Sequence, residues 1–236
     1  MHFDWEQLTD GVHRCRLRFL DVTVGLVQGS AGALLVDAGT TLTEAQAISD
    51  DVREIAGRDV THVVLTHKHF DHVLGSGAFP DAEIYCAPEV VDYLATAAGQ
   101  LREDALSHRA NPDEIERAIA ALRAPQHAVN DAVVDLGDRR LAITHPGRGH
   151  TDADLVVRVP GSDGERTVVF SGDLIEESGD PAIDDDSDVA AWPGTLDRLL
   201  AIGGPGAIYV PGHGRVVEAE FVRRQQDWLR SNRPTR

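Results

Sequence analysis

The stretch Thr-His-Lys-His-Phe-Asp-His, residues 66–72, constrains this chain more than any other. It follows the apolar run Val63-Val64-Leu65 and sets His67, His69, Asp71 and His72 within six positions. Imidazoles and a carboxylate carried inward by a buried strand each need a polar partner, and apolar packing supplies none. Neutral imidazole is the commonest metal-ligating side chain, so one kind of partner, a metal ion, would satisfy all four groups together. The fold must therefore bring further polar side chains to the end of that strand.

At 236 residues the chain is expected to form one domain over residues 1–236. Its net charge of -17, from 22 Lys+Arg against 39 Asp+Glu, repels phosphate backbones and anionic lipid, so neither nucleic acid nor a membrane is expected as a partner. Cys15 and Cys86 are too few and too far apart for a disulfide framework. The first residues lack a basic stretch leading into an apolar core, and no long apolar run follows. A soluble cytoplasmic protein is the expectation.

The elements read as two similar halves. Residues 12–39 alternate apolar runs with glycine, as antiparallel strands do. Residues 41–57 have helix chemistry, with Thr43 as the expected N-cap, Ala45, Ile48, Val52 and Ile55 on one face, and Gly57 as the stop. A strand over 60–66 leads into the histidines and another covers 82–88. Two helical pieces, broken at Asn111-Pro112, reach Arg123. Strands return from His127 to Asp173, then come a helix near 195–202, a strand at 207–212 and a last helix at 216–231. Two sheets face to face with helices outside would use every apolar face. The acidic run 176–188 reads as a solvated loop.

One local pattern occurs four times: an apolar strand, then small residues, then a metal-capable side chain. It ends at His67, His150, Asp173 and His213, with glycines at 147, 149, 172, 212 and 214 to allow sharp turns and close approach. His67, His69 and Asp71 share parity in extended backbone, whereas His72 must be presented by a turn or an incipient helix. His67, His69, Asp71, His72, His150, Asp173 and His213 are enough for two ions once water is counted.

In this order and spacing the chain resembles the metallo-beta-lactamase superfamily, whose pattern is HxHxDH, a distant His, a bridging Asp and a final His. The resemblance implies an αββα four-layer sandwich, an α/β fold. It also implies that His67, His69 and His150 hold a first metal, that Asp71, His72 and His213 hold a second, and that Asp173 bridges them. Two zinc ions are the expected cofactors, with iron or manganese as substitutes. Asp173 stands where class B1 lactamases carry a cysteine, which argues against a drug-resistance enzyme. Glyoxalase II shares the full ligand set but adds a helical substrate domain. The nucleases of the superfamily need a large insertion, and the flavodiiron proteins usually have glutamate at the position of His69.

The implied activity is that of a metal-dependent hydrolase. A hydroxide shared by two metals would attack a small ester, thioester, lactone, or lactam or amide substrate, with Asp71 as ligand and catalytic group. The alternatives are an iron-dependent oxidoreductase similar to persulfide dioxygenase, and a non-catalytic metal-binding sensor. Arg148, between two glycines, is placed to meet a substrate carboxylate or to pair with Asp152 or Asp154. Trp192 either walls the pocket or packs over the helix that follows. Lys68, the one lysine of the chain, is expected in solvent or paired with an acid, and Asp152 or Thr151 to support a ligand histidine. His2, His13, His62, His108, His127 and His145 are read as structural.

Overall fold

The computed structural model describes residues 1–162 and 164–232. Its first half runs β1 (Glu6–Thr9), β2 (Val12–Arg16), β3 (Thr23–Gln28), β4 (Ala33–Val36), α1 (Leu42–Ala56), β5 (His62–Val64), α2 (Phe70–Val73), β6 (Glu83–Cys86), α3 (Pro88–Thr96), α4 (Ala98–Ser107), α5 (Pro112–Ala121) and β7 (His127–Ala128). The second half runs β8 (Asp131–Asp135), β9 (Arg140–Thr144), β10 (Val156–Val159), β11 (Val168–Phe170), α6 (Trp192–Gly203), β12 (Ile208–Val210) and α7 (Ala219–Ser231).

β1 to β7 form one sheet in sequence order, and β12-β11-β10-β9-β8 form the other. In the first sheet β1 to β4 pair antiparallel and β4 to β7 parallel, while in the second only β11 and β12 are parallel. Strand alternation builds the layers, because successive side chains point to opposite faces. Val157, Val159, Val168, Phe170 and Val210 enter the apolar cluster shared with the first sheet, whereas their neighbours Val156, Val169 and Tyr209 enter a second cluster under α6 and α7. The sheets approach closely at Gly25, where a Cβ would lie 2.4 Å from the ring of Phe170. Ala45, Ile48 and Val52 of α1 and Val90, Leu101 and Ile115 of α3 to α5 join the cluster of the first sheet. This is the αββα sandwich expected from the sequence.

Two boundaries differ from the sequence reading. Thr41, not Thr43, caps α1: the Glu44 N–H donates to Thr41 Oγ1 at 3.1 Å and Glu44 Oε2 accepts from the Thr41 N–H at 3.3 Å. This reciprocal pair needs a glutamate three residues after the cap, which Thr41 has. Gly57 ends the helix with φ 64° as expected. The region 88–123 contains three helices instead of two; Asn111 caps α5 ahead of Pro112, but a further break falls at Ala97, where no Gly or Pro announces it. No helix of the described residues is long and apolar enough to cross a membrane.

Candidate metal centre

The strand ends meet along one edge of the sandwich. β5 leads to His67, the loop after β9 carries His150, β11 leads to Asp173 and β12 to His213. α2 starts at Phe70, with His69 as its extended N-cap. That early start corrects the parity reading: Asp71 lies on the helical turn with His72 instead of sharing the extended direction of His67 and His69.

The side chains fall into two groups. His67, His69, His150 and Asp173 offer ligand atoms within 4.8 Å of one another, and so do Asp71, His72 and His213. In the first, His69 Nδ1 and His150 Nε2 are 2.9 Å apart, and Asp173 Oδ2 lies 3.6 Å from His67 Nε2 and 3.5 Å from His150 Nε2. In the second, His72 Nε2 and His213 Nε2 are 3.3 Å apart, with Asp71 Oδ2 at 3.6 and 3.4 Å. Asp173 also reaches this group, with Oδ1 3.3 Å from His72 and Oδ2 3.3 Å from His213. All these residues except His69 are buried.

The outer ring nitrogens determine what faces inward. His150 Nδ1 lies 3.2 Å from the Ala182 carbonyl and His213 Nδ1 2.7 Å from the Leu20 carbonyl, so each must donate there and present a lone pair at Nε2. His72 Nδ1 donates to Asp37 Oδ2 at 2.9 Å. The Thr66 hydroxyl donates to the same oxygen at 2.9 Å, which leaves Thr66 Oγ1 to accept from His67 Nδ1 at 3.0 Å. His69 Nε2 stands 3.6 Å from Asp186. Four rings, those of His67, His72, His150 and His213, are thus held by hydrogen bonds at their outer nitrogens with a lone pair turned toward the centre, the arrangement in which such partners orient metal-binding histidines, and His69 has only the longer contact to Asp186.

Paired lone pairs at 2.9 and 3.3 Å require positive charge between them, either protons or cations. Among the described residues, His67 Nε2 and Asp173 Oδ1 are buried and find no hydrogen-bond partner. Both observations fit a metal. Without one, protons gather unevenly. Burial and the neighbouring His72 push His67 well below the usual histidine range, and burial brings His150 down to about 4. Burial opposes charge on His72 and His213 as well. There the carboxylates outweigh it: Asp173, Asp71 and Asp37 raise His72 well above its usual range, and Asp173 with Asp71 raises His213 to about 10.

Several supports were not legible in the sequence. Asp37, 2% exposed with φ 63°, accepts from the Thr66 N–H and hydroxyl and from His72, so it steadies one histidine of each group. It follows β4 directly, with the small residues Ala38 and Gly39 after it instead of before it, so it departs from the pattern of the four recognised positions. Asp154, its carboxyl pushed up to about 7 by burial, holds the Thr151 N–H and hydroxyl. Glu176 comes within reach of Asp173 and His213. The acidic run is no free loop: the Ser187 hydroxyl donates to the His150 carbonyl at 2.7 Å, and Asp186 stands against His69 and Lys68.

Lys68 takes the paired alternative expected of it, with Asp152 at 2.8 Å and Asp186 at 3.0 Å. Asp152 is therefore committed to Lys68 and Thr151 to Asp154, and neither supports a ligand histidine. Arg148 stands 3.9 Å from Asp188, not beside Asp152 or Asp154, with its side chain 58% exposed. Trp192 is corrected as a pocket wall: it is fully buried, donates from Nε1 to the Leu174 carbonyl and lies behind the His150 ring, 5.8 Å between centroids. His145 donates from Nδ1 to the Asp154 carbonyl, a structural bond.

A sandwich with two histidine and carboxylate groups at one sheet edge defines a class of metal-binding α/β proteins. The metallo-beta-lactamase superfamily model matches residues 17–213, and the chain belongs to that superfamily. It is 31% identical over 128 residues to a metallo-beta-lactamase type 2 from Bacteroides fragilis, a match covering 52% of this chain and 50% of that protein. It is 28% identical over 210 residues to metallo-beta-lactamase domain-containing protein 1 of Xenopus laevis, covering 87% of this chain and 77% of the relative. The crystal structure of the metallo-beta-lactamase FIM-1 from Pseudomonas aeruginosa in its mono-zinc form has the same fold, with a TM-score of 0.75 at 20% identity over 97% of this chain and 95% of that one.

Proposed function

We propose that this protein is a hydrolase that works with two divalent cations, by preference zinc, on a small ester, thioester, lactone, or lactam or amide. The observation that carries this reading is Asp173 standing within 3.6 Å of donors in both groups, so that two ligand sets share one carboxylate. His67, His69 and His150 would hold the first cation and Asp71, His72 and His213 the second. A cation pair supplies polarisation of the scissile carbonyl and brings the pKa of water toward about 7.

The chain's own residues do the rest. Asp71 turns Oδ2 to His72 and His213, which leaves Oδ1 to orient the attacking water, take up the proton that water gives up and pass that same proton to the leaving group. Asp37 keeps the His72 ring, and through Thr66 the His67 ring, from turning during turnover. Arg148, exposed beside Asp188, is the group we assign to a substrate carboxylate at the rim. The acidic balance favours a small molecule over nucleic acid or a membrane as partner. Two buried, unpaired cysteines agree with a cytoplasmic setting.

The test is metal analysis followed by a panel of thioesters, lactones, esters and lactams. About two zinc per chain, with turnover lost in Asp71→Ala, is the expected result. One iron per chain with oxygen uptake, or no turnover of any member, would overturn the proposal.

A further inference from the structure

A further carboxylate reaches the second group. Glu176 follows the short 3-10 turn Gly172–Leu174 that carries Asp173, and is 7% exposed. One ligand atom each from Glu176, Asp173 and His213 lie within 4.8 Å of one another. Glu176 is fixed from behind in the way the histidines are. Its N–H donates to Gln225 Oε1 of α7 at 3.0 Å, and its Oε1 accepts from the Ser178 N–H at 2.9 Å and from the Ser178 hydroxyl at 2.5 Å. A backbone bridge ties residue 176 to His213 itself. The neighbouring arginine, Arg215, pairs with Glu177 instead. Independently, Asp173 Oδ1 is buried with no hydrogen-bond partner among the described residues, in a residue 7% exposed, and lies 3.3 Å from His72 Nε2 on the side of the second group. Buried carboxylates this close, with no arginine or lysine paired to them among the described residues, call for positive charge, which a cation bound between them would supply.

We propose that Glu176 is a direct ligand of the second cation, through Oε2, and that it sets the chemical class of that ion. The inference rests on the two-cation reading above. With Glu176 the second position offers His72, His213, Asp71, Asp173 and Glu176, two imidazoles against three carboxylates. The first offers three imidazoles and the shared Asp173. A nitrogen-rich set of four suits tetrahedral zinc, whereas an oxygen-rich set of five suits a harder, six-coordinate ion such as Mn²⁺ or Fe²⁺. The added carboxylate also offsets a further unit of the charge that two divalent ions bring into a buried site.

Metal-stripped protein is given one equivalent of zinc and titrated with Mn²⁺, with free Mn²⁺ read by electron paramagnetic resonance, for wild type, Glu176→Gln and Glu176→Asp. The wild type should bind one Mn²⁺ per chain. Both variants should raise its Kd about tenfold or more while the zinc bound at the first position stays unchanged and circular dichroism shows a folded chain. Glu176→Asp keeps the charge but withdraws it by one methylene, so it separates ligation from a field effect and stands in should Glu176→Gln fold poorly. Wild-type Mn²⁺ affinity in either folded variant would overturn the proposal, and so would a wild type that refuses Mn²⁺ yet takes a second zinc. A wild type that takes no second cation of any kind would instead sink the two-cation reading, and this inference with it.

Discussion

Asp37 offers the sharpest test of how the centre is supported. It accepts hydrogen bonds from the Thr66 N–H at 2.8 Å, the Thr66 hydroxyl at 2.9 Å and His72 Nδ1 at 2.9 Å, and is 2% exposed. Asp37→Asn keeps the shape and tolerates the φ of 63°, since asparagine accepts the left-handed region. It replaces one acceptor oxygen with a donor. A hydrogen bond to a charged group contributes about 1.5–3 kcal/mol, and a buried donor left facing another donor costs about 1–3 kcal/mol. The substitution should therefore destabilise the metal-free protein by about 2.5–6 kcal/mol. Because His72 loses its partner directly and His67 loses one through Thr66, affinity should fall about 10–100-fold at both groups, whereas Thr66→Val should weaken the His67 side alone. Urea unfolding of metal-free protein and zinc competition against a chromophoric chelator measure the two effects. An Asp37→Asn protein with wild-type stability and wild-type affinity for both ions would refute the reasoning.

Lys68→Met should release Asp186 from Lys68 and weaken the His69 side, lowering affinity for the first ion about tenfold while the second is unchanged; stepwise zinc titration separates them. Uptake of the second ion should strengthen as pH rises, because His213, with its pKa near 10, and His72 carry protons that the ion must displace. The first group should depend less on pH: His150 near 4 and His67 lowered carry no proton to displace, and only His69, where burial is outweighed by Asp186, Asp71 and Asp173, which raise the ring, has one; calorimetry in buffers of different ionisation enthalpy counts the released protons. For the metal-free fold the sign follows from raised pKa values: stabilisation from His72 and His213 is full below the unfolded value of 6.5 and fades as pH climbs toward 10, and unfolding curves at pH 6 and pH 9.5 check it. Gly212→Ala would set a Cβ 1.8 Å from Asp173 Oδ1 and push that carboxylate off position, at a cost of about 1–3 kcal/mol; the loss of bound metal is read by elemental analysis.

The residues at strand ends were readable because the signal is local. Each of His67, His150, Asp173 and His213 follows an apolar strand and small residues, and buried imidazole with no apolar excuse stands out in any chain. The cap of α1 is readable too, because Glu44 lies three residues after Thr41. The break at Ala97 is not, since alanine has no intrinsic preference for ending a helix.

What the sequence determined by itself is which side chains have the chemistry to meet at a metal, and the alternation that forces two sheets into one sandwich. Only the tertiary structure decided which carboxylates serve them. Asp37, Asp154, Glu176 and Asp186 belong to a set of 39 acidic residues that look alike in one dimension. Each is distinguished by the partner it meets: for Asp37 a histidine 35 positions away, for Asp186 one in the first strand-end motif. A carboxylate's role depends on its burial and on the donor it faces, and both are set by contacts between distant parts of the chain.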